Sequence, residues 1–186
     1  MQQLTGIDTL FLTQESERTP LHISPLLIYD PSTAPGGKVR FKDILRLFAS
    51  RLHMAPIFRR KLVEVPFGLD YPYWVEADDF DLEFHVRHIA LPQPGDWRQL
   101  CIQVARLHAR VLDRSRPLWE AYVIEGLDNV EGLPKGCFAI FLKMHHAAID
   151  GVSGTEIIGA IHDAEPCPPP RSSERAKQWR PDPQPS

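Results

Sequence analysis

The stretch Lys143-Met144-His145-His146-Ala147-Ala148-Ile149-Asp150-Gly151 follows directly on the apolar run Cys137-Phe138-Ala139-Ile140-Phe141-Leu142, and together they decide how the chain is read. The run stands behind a Gly132-Leu133-Pro134-Lys135-Gly136 turn and reads as a buried strand, with the histidines where it ends. Adjacent side chains on a strand point to opposite faces, so His145 and His146 cannot both address one site. One is the reagent and the other scaffold. Imidazole titrates near neutral pH and suits a base that takes a proton from an alcohol. Asp150, at the bend, can brace the backbone or pair with a distant arginine, and Gly151 permits a positive φ. Val152 to Glu156 reads as a helix start, with Ser153 as N-cap and Glu156 completing a capping box. A strand, a loaded turn and a helix make a frame for a catalytic group.

Outward from this centre, Gly6 to Glu15 reads as a short helix with apolar Ile7, Leu10 and Phe11. Leu21 to Tyr29 reads as a strand, in which Pro25 implies an edge or a bulge. Asp30 to Lys38 is a Pro- and Gly-rich loop. Phe41, Ile44, Leu45, Phe48 and Leu52 recur at helical spacing and define the clearest amphipathic helix, Phe41 to Leu52, whose stripe should pack on a sheet. Val63 to Ala77 suggests two short strands joined by a turn. Phe80 to Ile89 carries His85 and His88 among alternating apolar positions. Asp96 to Leu112 is a second helix, with Leu100, Val104, Leu107 and Val111 on one face. Trp119 to Ile124 and Cys137 to Lys143 are strand-like. This order is mixed, not regularly βαβ, so the fold class expected is α+β, or a layered αβ sandwich.

At 186 residues, 43% hydrophobic and 24% charged, the chain has the balance of one globular domain. Its formal charge of −3 argues against a general nucleic-acid binder. Cys101, Cys137 and Cys167 stand far apart without a CxxC pair, which suits a reducing cytosol. No signal peptide is visible at Met1 to Asp8, and no run approaches the ~20 apolar residues of a membrane span. Membrane contact would be peripheral. From Pro166 to Ser186 the chain holds seven of its 18 prolines among polar residues. The expected organisation is therefore a domain over 1–164 and a Pro-rich disordered linker or tail over 165–186.

His145-His146-Ala147-Ala148-Ile149-Asp150-Gly151 resembles the HHxxxDG signature of the chloramphenicol-acetyltransferase-like acyltransferases. Three further stretches narrow the resemblance: Leu4-Thr5-Gly6-Ile7-Asp8-Thr9-Leu10-Phe11-Leu12, His85-Val86-Arg87 followed by Ala90-Leu91-Pro92, and Ser115-Arg116-Pro117-Leu118-Trp119-Glu120. In this order they resemble the bacterial wax ester synthase/diacylglycerol acyltransferase branch, whose PLWE motif stands here intact. The resemblance runs from Leu4 to about His162.

It implies a chloramphenicol-acetyltransferase-like αβ sandwich lobe with a mixed sheet, the N-terminal one of two similar lobes in proteins more than twice this length. It implies acyl-CoA-dependent O-acyl transfer to diacylglycerol or a long-chain alcohol, giving triacylglycerol or wax ester. His146 would be the base. His145, Asp150 and Gly151 would support the site, Asp150 through an arginine, with Arg116 and Arg87 as candidates. Pro117, Leu118, Trp119 and Glu120 would form an acceptor-side or structural motif. Acyl-CoA would be a substrate, with no cofactor and no metal. Expected partners are acyl-CoA, the acceptor, a second lobe or second copy, and a peripheral membrane or lipid-droplet surface in the cytoplasm.

Other readings compete. A catalytically incomplete half-enzyme could serve as a lipid-binding or assembly partner, and a condensation-type enzyme would use carrier-protein thioesters; the PLWE stretch speaks against the latter. Gly151-Val152-Ser153-Gly154 does not complete a GxSxG elbow, because Thr155 stands where the last glycine should be. Adjacent histidines on a strand do not supply two zinc ligands. Arg59-Arg60-Lys61 could touch coenzyme A phosphates or an anionic surface, although short charge runs usually face water.

Overall fold

The computed structural model describes residues 1–149 and 154–163, and for 154–156 the backbone only. Two strands carry the centre of the fold: β7, Trp119–Glu125, and β8, Phe138–His145. They pair antiparallel from Trp119 opposite Met144 to Ile124 opposite Ala139. Both are covered on both faces, which is why they read as continuous apolar runs without alternation.

Beyond β7 lies β6, Val86–Ala90, in parallel pairing, so the sheet is mixed. On the other side of β8 lie β2, His22–Ile23, and β3, Leu26–Tyr29. Their partners keep one register through the Ser24-Pro25 break: Ile23 faces Met144 and Leu26 faces Phe141. Leu142 still donates its N–H to Pro25 O at 3.1 Å. Pro25 therefore marks an edge, not a bulge, since no residue is inserted. A second, three-stranded sheet is built from β1, Gln2–Gln3, β4, Arg60–Val63, and β5, Tyr73–Glu76.

Side chains alternate between two cores. Trp119, Ala121 and Val123 of β7 and Ile140, Leu142 and Met144 of β8 pack with Ile44 and Phe48 of α2, Phe41–Arg51, and with Ile157, Ala160 and Ile161 of α5, Gly154–Ile161. Tyr122, Ile124, Ala139 and Phe141 point the other way, onto Leu100 and Leu107 of α4, Trp97–His108. Helices thus cover both sheet faces, giving the α+β sandwich expected. A third cluster joins Leu12 of α1, Gly6–Gln14, to Leu4, Leu62, Trp74, Leu112, Leu118 and Ala147.

Local sequence sets the helix ends. Thr5 caps α1 by accepting from Asp8 N, while Asp8 accepts from Thr5 N, an arrangement worth about 0.5–2 kcal/mol. Asp96 caps α4 through Gln99 N at 2.8 Å. Phe80 to Ile89 begins with one helical turn, α3, Leu82–His85, capped by Asp81, before β6 starts. The Asp81 cap thus makes the strand start later, at Val86, than the alternating apolar positions from Phe80 implied. The tail over 165–186 lies outside the described residues.

Candidate active site

β8 ends at His145, and His146 to Ile149 form a single 3₁₀ turn. The two histidines part as adjacent strand residues should. His145 is fully buried on the α4 side, in line with Ala139, Phe141 and Lys143. His146 is exposed, its ring stacked on Phe11 with centroids 3.9 Å apart. The His146 N–H donates to Leu21 O at 2.9 Å, which ties the start of the turn to the edge of the sheet.

Beneath this turn lies a buried polar cluster that sequence reasoning missed. Its centre is Glu15, the C-cap residue of α1, with only 3% of its side chain exposed. Glu15 Oε1 accepts from Leu21 N at 3.2 Å and stands 3.1 Å from His22 Nε2. Glu15 Oε2 accepts from Arg114 Nη2 at 3.1 Å and stands 3.3 Å from His145 Nε2. Arg114 also donates to Leu12 O, fixing the last turn of α1. His145 Nδ1 accepts from Ala147 N at 3.0 Å. An acceptor at Nδ1 leaves the proton of a neutral ring on Nε2, facing the carboxylate.

Electrostatics follow burial. Burial pushes the His145 imidazole below its ordinary value against the opposing pull of Glu15, so the ring is neutral. His22 is pushed down to about 4, by burial first and then by the nearby Lys143 cation. Burial raises Glu15, but the Leu21 N–H, His145, Arg114 and His22 outweigh it, and its carboxyl stays below the usual range. Lys143, fully buried, caps α4 by donating to Leu107 O and Arg110 O; burial lowers its pKa.

Pro117, Leu118, Trp119 and Glu120 are all buried. Pro117 bridges to Lys61, and Leu118 O accepts from His145 N at 3.0 Å, so this stretch holds the backbone of His145. Trp119 donates from Nε1 to Phe58 O at 3.1 Å and stacks on His85, whose Nδ1–H donates to Trp119 O at 2.7 Å. Glu120 accepts from the Tyr122 hydroxyl at 2.6 Å, with Arg87 at 3.6 Å.

Asp150 and Gly151 lie outside the described residues, as does Ser153. Of the arginines considered for Asp150, Arg87 lies beside Glu120 and over Phe84, and Arg116 pairs with Asp113 and also covers Phe84. In the basic cluster, Arg60 meets Gln2 and Glu76, and Lys61 meets Asp78 and Asp79. A small cavity of about 90 Å³ opens beside the turn, lined by Ala148, Ile157, Ile57, Pro56, Trp74 and Arg60 among others. Among the described residues no group of three or more His, Cys, Asp or Glu is arranged to hold a metal.

A sequence signal for Glu15 existed. It stands four residues after Phe11, so both side chains leave one helix face toward the histidine turn. Nothing in a nine-residue helix with weak periodicity shows which face that is. Phe11 was legible only as an apolar position.

Comparison with known proteins agrees with this geometry. The model of the wax ester synthase/diacylglycerol acyltransferase catalytic domain matches residues 4–185. A Mycobacterium tuberculosis protein named as a probable diacylglycerol O-acyltransferase is 39% identical over 167 residues, covering 90% of this chain and 58% of the relative. A second relative from that organism, named for the same activity, is 36% identical over 186 residues, 100% of this chain and 37% of its own length. The chain thus spans little more than a third of that protein. Among solved structures, the wax ester synthase/diacylglycerol acyltransferase from Marinobacter aquaeolei VT8 superposes with a TM-score of 0.67 at 33% identity, over 86% of this chain and 36% of that one. The first condensation domain of the calcium-dependent antibiotic synthetase, at 14% identity and TM-score 0.57 over 78% of this chain and 32% of its own, shares the fold alone. With its HHxxxDG motif, its buried PLWE stretch and a family match over nearly its whole length, the chain belongs to the wax ester synthase/diacylglycerol acyltransferase family.

Proposed function

We propose that this chain carries the proton-transfer half of an acyl-CoA-dependent O-acyltransferase, which makes triacylglycerol from diacylglycerol, wax ester from a long-chain alcohol, or both. The observation that supports this most is the division of labour at the end of β8: His145 is buried and held, while His146 is presented on the surface.

An alcohol is too weak an acid to ionise before it reacts. Neutral His146 therefore accepts the hydroxyl proton while the oxygen attacks the thioester carbonyl, help worth about 10²–10⁴-fold. The tetrahedral oxyanion requires hydrogen-bond donors. Its collapse breaks the C–S bond, and the coenzyme A thiolate leaves and recovers the proton from His146. No acyl-enzyme and no cofactor enter; acyl-CoA is substrate. In this reading Asp150 and Gly151 shape the turn, and the PLWE stretch holds it from below.

The protein would work in the cytoplasm at the surface of a membrane or lipid droplet, with a second lobe or second copy completing the site. Exposed Ile7, Leu10, Phe67 and Leu69 support such contacts, and no described helix is long and apolar enough to cross a membrane. The test is transfer of labelled palmitoyl from palmitoyl-CoA to diolein and to hexadecanol. Product with either acceptor supports the reading; thioester hydrolysis without transfer to either would refute it.

A further inference from the structure

We infer that Glu15 is a positioning residue for His146, acting through the backbone on both sides of it. The inference rests on the reading of His146 as the base. One carboxylate oxygen accepts from Leu21 N, and the Leu21 carbonyl accepts the His146 N–H. The other oxygen faces His145 Nε2, and His145 Nδ1 accepts the N–H of Ala147. The two amides that bracket the His146 side chain thus hang from a single buried carboxylate. Arg114 balances its charge from the side of α1. His22 and Lys143 are the other titratable groups that face it.

A charged carboxylate three per cent exposed is costly to keep unless its hydrogen bonds are used. Glu15 divides its contacts between Arg114, which ties it to α1, and Leu21 N and His145, which lead to the histidine turn. The same face of α1 supplies the Phe11 ring under His146. One helix therefore sets both the backbone and the ring plane of the base. Placement of this kind governs turnover more than substrate affinity, since an error of about 1 Å costs on the order of 10²-fold.

The experiment has two arms. In ¹⁵N-labelled chain, long-range ¹H–¹⁵N spectra report the His145 tautomer. Wild type should hold a neutral Nε2–H ring from pH 7 to 8, and Glu15→Gln should broaden or shift its pattern. A Nδ1–H ring in wild type, or a pattern untouched by Glu15→Gln, overturns the inference whether or not the chain is active. In the palmitoyl-transfer assay, folded Glu15→Gln should lose kcat by about 10–100-fold with KM for both substrates within about twofold. Unchanged kcat, or a loss carried by KM, also overturns it. A wild type inactive on its own would exclude a site completed by a second copy, point to the second lobe, and leave the spectroscopic arm to decide on Glu15. Should Glu15→Gln not fold, the wild-type tautomer decides alone.

Discussion

Replacing Trp119 by Phe separates a structural role of the PLWE stretch from an acceptor-binding one. The Trp119 side chain is fully buried, with Phe48, Phe58, Phe80 and His85 around it. The substitution removes roughly 40 Å³, and at ~24 cal/mol per Å³ of residual cavity this costs about 1 kcal/mol. It also strips Phe58 O of its donor at 3.1 Å, a buried acceptor whose loss of a partner costs about 1–3 kcal/mol. The sum is a destabilisation of about 2–4 kcal/mol. Urea unfolding measures it as a fall in the midpoint at constant slope. Where the folded variant still turns over, KM for diolein and hexadecanol should stay within about twofold of wild type. A loss below about 1 kcal/mol, or a selective rise in acceptor KM, would refute the packing argument and make Trp119 an acceptor contact.

Acid should weaken the fold in a defined window. The folded pKa of His22 is about 4, below the ordinary 6.5, so the unfolded chain binds the extra proton. Its contribution is full above about pH 6.5 and fades as pH falls toward 4, reaching about 3 kcal/mol at most for a fully buried side chain. His145 and His85, also lowered, act in the same direction, and Glu15 adds a loss below the ordinary carboxylate range. Urea midpoints at pH 7 and pH 4.5 should differ accordingly; equal midpoints would contradict the buried-neutral assignment. Arg51 secures the end of α5 by donating to Ala160 O and His162 O and pairing with Asp163. Arg51→Ala should cost about 2–3 kcal/mol and speed hydrogen exchange in α5 first; unaltered α5 exchange would contradict that role.

Much of this architecture was legible in the sequence because burial on both faces wrote itself as unbroken apolar runs in β7 and β8. Heptad-like spacing likewise marked α2 and α4, and the adjacency of His145 and His146 foretold that only one could face outward. What stayed hidden depends on contacts between distant positions. Glu15 and Arg114 are 99 residues apart in sequence and meet only after α1 folds against the histidine turn. Lys143 looked like the polar end of a strand, yet it sits fully buried because the carbonyls at the end of α4 need donors. Pro25 announced a disturbance without saying which; an unbroken register makes it an edge. Trp119 carried no sign of whether it packs or binds, since either use keeps a large ring beside a charged residue.

The central claim is that His146 does chemistry while His145 holds the turn, and paired alanine substitutions measured for both turnover and stability test it most directly. His146→Ala, at an exposed position, should change stability by no more than about 0.5 kcal/mol and lower palmitoyl transfer by about 10²–10⁴-fold. His145→Ala should instead cost about 2 kcal/mol or more, because Ala147 N loses its acceptor and Glu15 a neighbour in a buried cluster. Turnover surviving in His146→Ala, or a His145→Ala chain as stable as wild type, would contradict the account.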